Sequence, residues 1–347
     1  MRVSLPFVMA GLVLAAGPAA AQDDIERIVV REVTRAAASA RAYQGRSRGQ
    51  DQTERVSRKV RIGRDGRVSI ANISGDIVVT GGGGEEVSIE AVKRTSGDRS
   101  ELADVEVVIE DRAGRVDIRA EHGRGRSSRG RSGDSASVEF TVTIPATASL
   151  DVHSVSGSLK VTGVRGSVRA ESVSGNVTTT DTPNLEHAKS VSGDVSLTGA
   201  AADGELTAGS VSGSITARGL KARGLDLGSV SGDVLLSDVT CERLTIKSVS
   251  GDVEYTGTIV KNGRYEINSH SGDVRLTLAN PPGFELNANS FSGSVRSDIP
   301  LTIGGDSGGS RGSGRQRDAH NIRATFGDGS ATLSIRTFSG EIVIAKR

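Results

Sequence analysis

The sequence predicts an all-β fold: a single-stranded parallel β-solenoid (a β-helix) with an antiparallel or mixed N-terminal cap region. Three observations predict it. The motif Ser-x-Ser-Gly occurs eight times, with glycines at Gly157, Gly175, Gly193, Gly213, Gly232, Gly251, Gly272 and Gly293, spaced 18, 18, 20, 19, 19, 21 and 21 residues apart. Apolar and polar residues alternate after each glycine. The composition suits a thin aliphatic core, with 3% aromatic residues, no Trp and 45 Gly in 347 residues. A fixed period near 20 marks a repeat architecture.

Aligned on the glycines, the columns sort by physical type. Two residues after Gly stand Leu159, Val177, Val195, Ile215, Val234, Val253, Val274 and Val295. Four residues after come Val161, Thr179, Leu197, Ala217, Leu236, Tyr255, Leu276 and Ser297, with mostly polar residues between the two columns. Period-two alternation of this kind makes a half-buried strand. A second strand follows about ten residues on. Its pairs include Val168 and Ala170, Leu206 and Ala208, Leu225 and Leu227, Leu244 and Ile246, Tyr265 and Ile267, and Phe284 and Leu286. Two strands and two bends make one coil, and stacking the eight copies in sequence order gives a rod of about 34 Å at the strand spacing. One coil alone buries too little apolar surface to fold, so stability must come from neighbouring coils. A helical repeat is excluded because no stretch holds a 3.6-residue period, and Gly, Thr, Val and Ser are poor helix formers. A propeller blade needs about 40 residues, twice the period.

The regions around the repeats read differently. Met1 to Ala21 has the pattern of a signal peptide, with Arg2 as its only charge, an apolar run from Val3 to Leu14, and cleavage expected after Ala21. Residues 22–54 are expected to form a helical or disordered leader and a linker, with helical spacing between Asp23 and Ala42. Residues 55–149 form the expected cap region. There Val60 and Ile62, then Val68 and Ile70, flank Gly63–Gly66 as a β-hairpin. The solenoid is expected over 150–347, with a flexible Gly/Ser/Arg-rich insertion at 304–321. After that insertion Ala331 to Ile335 and the block Phe338-Ser339-Gly340-Glu341 close the chain.

The formal net charge of +1 excludes the basic character of a nucleic-acid binder. The single cysteine, Cys241, excludes an internal disulfide and is expected to pack. No helix-forming stretch reads as a transmembrane span, and the protein is expected in the periplasm or outside the cell.

Candidate sites are few. The residue after Gly is Ser158, Asn176, Asp194, Ser214, Asp233, Asp252, Asp273 or Ser294, types whose side chains bond nearby backbone N–H groups at turns. Stacking would set Asp233, Asp252 and Asp273 above one another, where a cation such as Ca²⁺ is the functional alternative to a solvated turn ladder. Five residues after Gly, Thr162, Thr180, Thr198, Thr256 and Thr277 form an incomplete Thr array, interrupted by Arg218, Ser237 and Asp298. Strand propensity explains it better than ice binding. Two Arg-rich loops, His122 to Arg131 and Ser310 to Arg317, could hold anionic envelope polymers but read as solvated loops. The histidines, His122, His153, His187, His270 and His320, have no spaced metal partner. His270 replaces the valine or phenylalanine found in its column in the other copies (Val155, Val173, Val191, Val211, Val230, Val249 and Phe291) and reads as a tolerated substitution at a bend. No catalytic, cofactor-binding or metal-binding residue is assigned.

The repeated Val-Ser-Gly-Asp/Ser-Val blocks, with Asn72-Ile73-Ser74-Gly75-Asp76-Ile77 and the terminal Phe338-Ser339-Gly340-Glu341, resemble the bacterial putative-adhesin family over about Val56 to Ile344. That resemblance implies an exported β-solenoid with an envelope or surface role and no catalytic residues to carry over. The leading expectation is therefore a non-enzymatic scaffold or adhesion module presenting a long polar face and two basic loops, with self-association possible through the solenoid ends. A β-helix polysaccharide lyase or hydrolase and a calcium-stabilised surface stalk are the alternatives.

Overall fold

In the computed structural model, residues 52–97, 99–122, 136–199, 201–303 and 320–347 are described. The expected signal peptide, nearly all of the leader, and almost the whole of both Arg-rich loops lie outside them. The leading strands are β1 (Gln52–Arg61), β2 (Arg67–Ser74), β3 (Ile77–Gly82) and β4 (Glu86–Thr95). One helical turn, α1 (Ser100–Ala103), precedes β5 (Val105–Arg112), β6 (Arg115–His122) and β7 (Ser137–Pro145). The repeats supply β8 (Ser149–Ser156), β9 (Leu159–Thr162), β10 (Val168–Ser174), β11 (Val177–Thr180), β12 (Leu185–Ser192), β13 (Val195–Thr198), β14 (Ala201–Ser212) and β15 (Ile215–Arg218). They continue with β16 (Lys221–Ser231), β17 (Val234–Ser250), β18 (Val253–Ser271), β19 (Val274–Leu278), β20 (Phe284–Ser292) and β21 (Val295–Ser297). The chain ends with β22 (Thr302–Ile303), β23 (Asn321–Phe326), β24 (Ala331–Ser339) and β25 (Ile342–Lys346).

The fold is all-β and solenoid-like, and its sheet is mixed. Successive repeats pair in parallel and in register: Val177 lies between Leu159 and Val195, and Ala208 between Ala188 and Leu227. The column two residues after each glycine points inward and is buried from Ile77 to Ile342, and the column four residues after is buried too except at Ser297, which is half-buried. Antiparallel pairs occur at both ends. β4 covers β7 and is itself covered by β1, β5 covers β6, and β23 covers β20. The outermost strand β1 carries Arg55, Arg58, Lys59 and Arg61, charges that blunt an open sheet edge.

Three features depart from the sequence expectation. The hairpin at Gly63–Gly66 does not form. β2 is paired in parallel on one edge with β6 and on the other with β8. Both edges are filled, so β1, which starts at Gln52 inside the expected linker, pairs with β4 instead. The stack also does not begin at Leu150. β2 and β3 form a coil directly against β8 and β9, and β6 and β7 form a further coil outside it.

The third departure is the order of the coils. β24 pairs with β18 on one side and with β20 on the other, and β25 pairs likewise with β19 and β21. The last coil in sequence is therefore inserted before the one that precedes it. The same exchange occurs at the other end, where the chain builds β2/β3 first, then lays β6/β7 outside it. Along one ladder the spatial order is β6, β2, β8, β10, β12, β14, β16, β17, β18, β24, β20. At about 4.8 Å per step this ladder is about 48 Å long, longer than stacking the eight copies alone would give.

Candidate interaction surface

The repeat motif explains the surface once each of its positions is placed. The first serine points inward. Ser172, Ser190 and Ser210 donate through Oγ to the carbonyl oxygens of Gly157, Gly175 and Gly193 in the preceding coil, at 3.1, 2.9 and 2.9 Å. Ser290 does the same to Gly340, its neighbour in space rather than in sequence, at 2.9 Å. Asn72 holds the position in the β2/β3 coil. Its longer side chain donates both to the Gly75 carbonyl at 2.9 Å and to that of Val138, in the coil outside it, at 2.7 Å. At Ser154, Ser269 and Thr337 the hydroxyl has no partner.

The glycine is required by close approach. A Cβ on Gly175, Gly193, Gly213, Gly232, Gly251 or Gly272 would fall well inside van der Waals contact with the carbonyl oxygen of the glycine in the coil before it. The residue after Gly clamps coil to coil. Oδ1 of Asp233 accepts from the backbone N–H of Asp252 at 2.9 Å, Asp252 from Asp273 at 2.8 Å, and Asp273 from Glu341 at 2.8 Å. The turn-ladder expectation put these bonds within a bend; they run between coils. One oxygen of each carboxylate is thereby committed to backbone, and no group of three metal-ligating side chains gathers among the described residues.

The remaining position, x, points outward, and it is apolar. Ile73, Val155, Val173, Val191, Val211, Val230 and Val249 are each between 44% and 49% exposed. His270, Phe338 and Phe291 continue the line. His270 stacks on Phe338 with ring centroids 5.1 Å apart, and Phe338 on Phe291 at 4.8 Å, with Phe291 72% exposed. The result is one exposed apolar ladder along the stack, ending in stacked rings. His270 is therefore a member of that ring stack, beyond its reading as a tolerated bend substitution. The long polar face expected for the module is interrupted by this ladder.

Beside the ladder, two residues N-terminal to it in each coil, runs a second outward column: His153, Glu171, Lys189, Gly209, Gly228 and Lys247. Gly209 and Gly228 present no side chain, so the surface is depressed between Lys189 and Lys247. A groove of roughly 860 Å³ follows the two columns, floored by the valines and the buried serines. This is within the usual range for ligand clefts. His153 lies 2.8 Å from Asp151 and 3.6 Å from Glu171, an exposed cluster at one end.

The other sequence candidates lie elsewhere. Thr162, Thr180 and Thr198 stack in register with Arg218, Ser237, Thr256 and Thr277 on a different face. His122 Nε2 lies 3.1 Å from the Ala136 carbonyl. Cys241 is buried in the core beside Tyr255 and Tyr265. The Tyr265 hydroxyl donates to the Cys241 carbonyl at 2.7 Å and accepts from the Val260 N–H at 3.0 Å. Burial pushes the Cys241 thiol up to about 12, so it stays protonated and unreactive at neutral pH. Native protein is expected to resist a thiol reagent at pH 8 and to label stoichiometrically in denaturant. Native-state labelling at the rate of a free thiol would contradict that placement.

Residues 66–345 match the family model described as Toastrack DUF4097. No curated protein matches. Similar solved structures include one described as a "putative lipid binding protein" from Parabacteroides distasonis, 12% identical, covering 66% of this chain and 91% of its own, with a TM-score of 0.38. A "putative adhesin" from Bacteroides fragilis is 11% identical, covers 84% and 97%, and has a TM-score of 0.37. A "putative cell adhesion protein" from Clostridium sporogenes is 11% identical, covers 85% and 100%, and has a TM-score of 0.24.

Proposed function

Because this chain belongs to the Toastrack DUF4097 family, we propose that it is a non-enzymatic interaction module whose parallel β-solenoid serves as a rigid rack for one apolar docking face. The carrying observation is the outward apolar residue repeated in coil after coil. Monomeric proteins rarely leave a contiguous apolar strip of this length to water, and such strips mark binding surfaces. A valine at x is not needed for the coil itself: the serine, glycine and aspartate make the bend, and the side chain at x contacts solvent. The signal-peptide pattern at Met1 to Ala21 supports a periplasmic or extracellular setting. Among the described residues no helix is long and apolar enough to cross a membrane.

Among the described residues, end-to-end association has the outer edges of β1 and β5 at one end and of β21 and β22 at the other, and β1 is heavily charged. The ladder is thus the better interaction surface. The enzyme alternative receives no support from the site: among the described residues the groove holds no pair of facing carboxylates, and its floor is largely aliphatic.

The test is capture from an envelope extract by immobilised protein, with Val191→Asp/Val230→Asp as comparison. Both positions are half exposed, so the pair should cost no more than about 1 kcal/mol of stability while abolishing retention of whatever the wild type holds. Equal retention by the folded variant contradicts the proposal.

A further inference from the structure

Resting on that reading of the ladder, we infer that the depressed segment between Lys189 and Lys247 is a binding site for a single-chain amphiphile with an anionic head, such as a free fatty acid. The chain would lie over Gly209 and Gly228 against the valines, and the head would sit at Lys247.

Three observations lead to this occupant. The floor offers one aliphatic side chain per step of about 4.8 Å. The backbone N–H and C=O groups of β12, β14, β16 and β17 are spent in the ladders. An incoming peptide strand or sugar would leave its own polar groups unpaired there, whereas an alkyl chain has none to satisfy.

The second observation is the glycine pair, of which Gly228 is the open member; at Gly209 a Cβ would stand 3.3 Å from the Gly228 carbonyl oxygen. Gly228 has nothing within 4 Å of where a Cβ would stand, and its φ is not in the left-handed region. Neither backbone conformation nor packing demands glycine at that position. Its consequence is open space: any side chain there would fill the groove.

The third is charge. Lys247 stands between Gly228 and Asn268 in its column, with Asp226 and Glu266 on the diagonal positions of the flanking strands and Glu266 engaged by the Asn268 amide. Lys189, by contrast, is in register with Glu171. The direct cross-strand partner is thus acidic for Lys189 and neutral for Lys247, which makes Lys247 the cation for an anionic head. A second copy docked across the glycines would bring Lys189 against Lys247, like charge against like.

The experiment is titration of the purified protein with a fluorescent polyene fatty acid below its micelle concentration, with displacement by hexadecanoic acid and by hexadecanol. Saturable binding of the acid is expected. Gly228→Phe should weaken it more than about tenfold without lowering the melting temperature, since nothing occupies that space. Lys247→Gln should weaken the acid about fivefold, the effect of one partly exposed charge, and leave the alcohol unchanged. Binding unaffected by Gly228→Phe overturns the inference. So does association with phosphatidylglycerol vesicles but not with the free acid, or a dimer in solution that Gly228→Phe dissociates. If no amphiphile binds while envelope capture still depends on Val191 and Val230, the inference fails and the interaction-face reading stands. If capture is independent of them too, both fail.

Discussion

Gly213→Ala is expected to destabilise the stack by roughly 2–4 kcal/mol, the range of a forced overpacking with no flexible neighbour to yield. The added methyl would meet the carbonyl oxygen and carbon of Gly193, both backbone. Relief requires the coils to separate, which stretches the ladders on either side. The control is Gly228→Ala in the next coil, where a Cβ meets nothing. That change should be neutral or stabilising by up to about 1 kcal/mol, because alanine restricts the unfolded chain more than glycine does. Urea denaturation of the two variants separates them. Similar midpoints would mean that the motif glycine is not set by coil-to-coil approach.

Removing residues 330–347 is expected to do more damage than loss of a terminal coil. β24 and β25 are interior: they hold β20 and β21 against β18 and β19. Their deletion forfeits the burial of Leu333, Ile335, Ile342 and Ile344, roughly 6–12 kcal/mol gross. It also leaves an open edge on each side of the gap. Residues 279–303 and 320–326 should lose hydrogen-exchange protection and become sensitive to protease, while the coils from β8 to β16 keep theirs, as nearest-neighbour stability in repeat proteins predicts. Retained protection over 284–297 in the truncated chain would mean that β20 docks directly on β18.

These two cases show what the sequence could convey. The alternation after each glycine identified the inward columns, because burial there follows polarity. At the first serine and at x the rule inverts. Ser190 is buried because its hydroxyl has a carbonyl to bond, while Val191 is exposed although it is aliphatic. A reading that equates apolar with inside therefore treats the Val155-to-Phe291 column as part of the bend and misses the surface it makes. Its regularity was visible; its direction needed the fate of the serine hydroxyl. Coil order was illegible for a different reason. Every coil offers the same parallel backbone edge, so no local pattern says that β24 pairs with β18 before β20 does. The clamp from Asp273 goes to the backbone N–H of Glu341, a donor that Ser294, at the same position after its own motif glycine, would supply equally well, so the choice shows only in the structure.

The central claim is that the x residues form one continuous outward ladder in the spatial order of the coils. Cysteine pairs test it most directly, because native Cys241 is buried. Adjacent strands place equivalent residues about 5 Å apart, within disulfide reach, and residues two steps away lie beyond it. Under mild oxidation of the folded protein, His270→Cys combined with Phe338→Cys should cross-link, and His270→Cys combined with Phe291→Cys should not. Cross-linking of the second pair and not the first would contradict both the exchanged coil order and the ladder built on it.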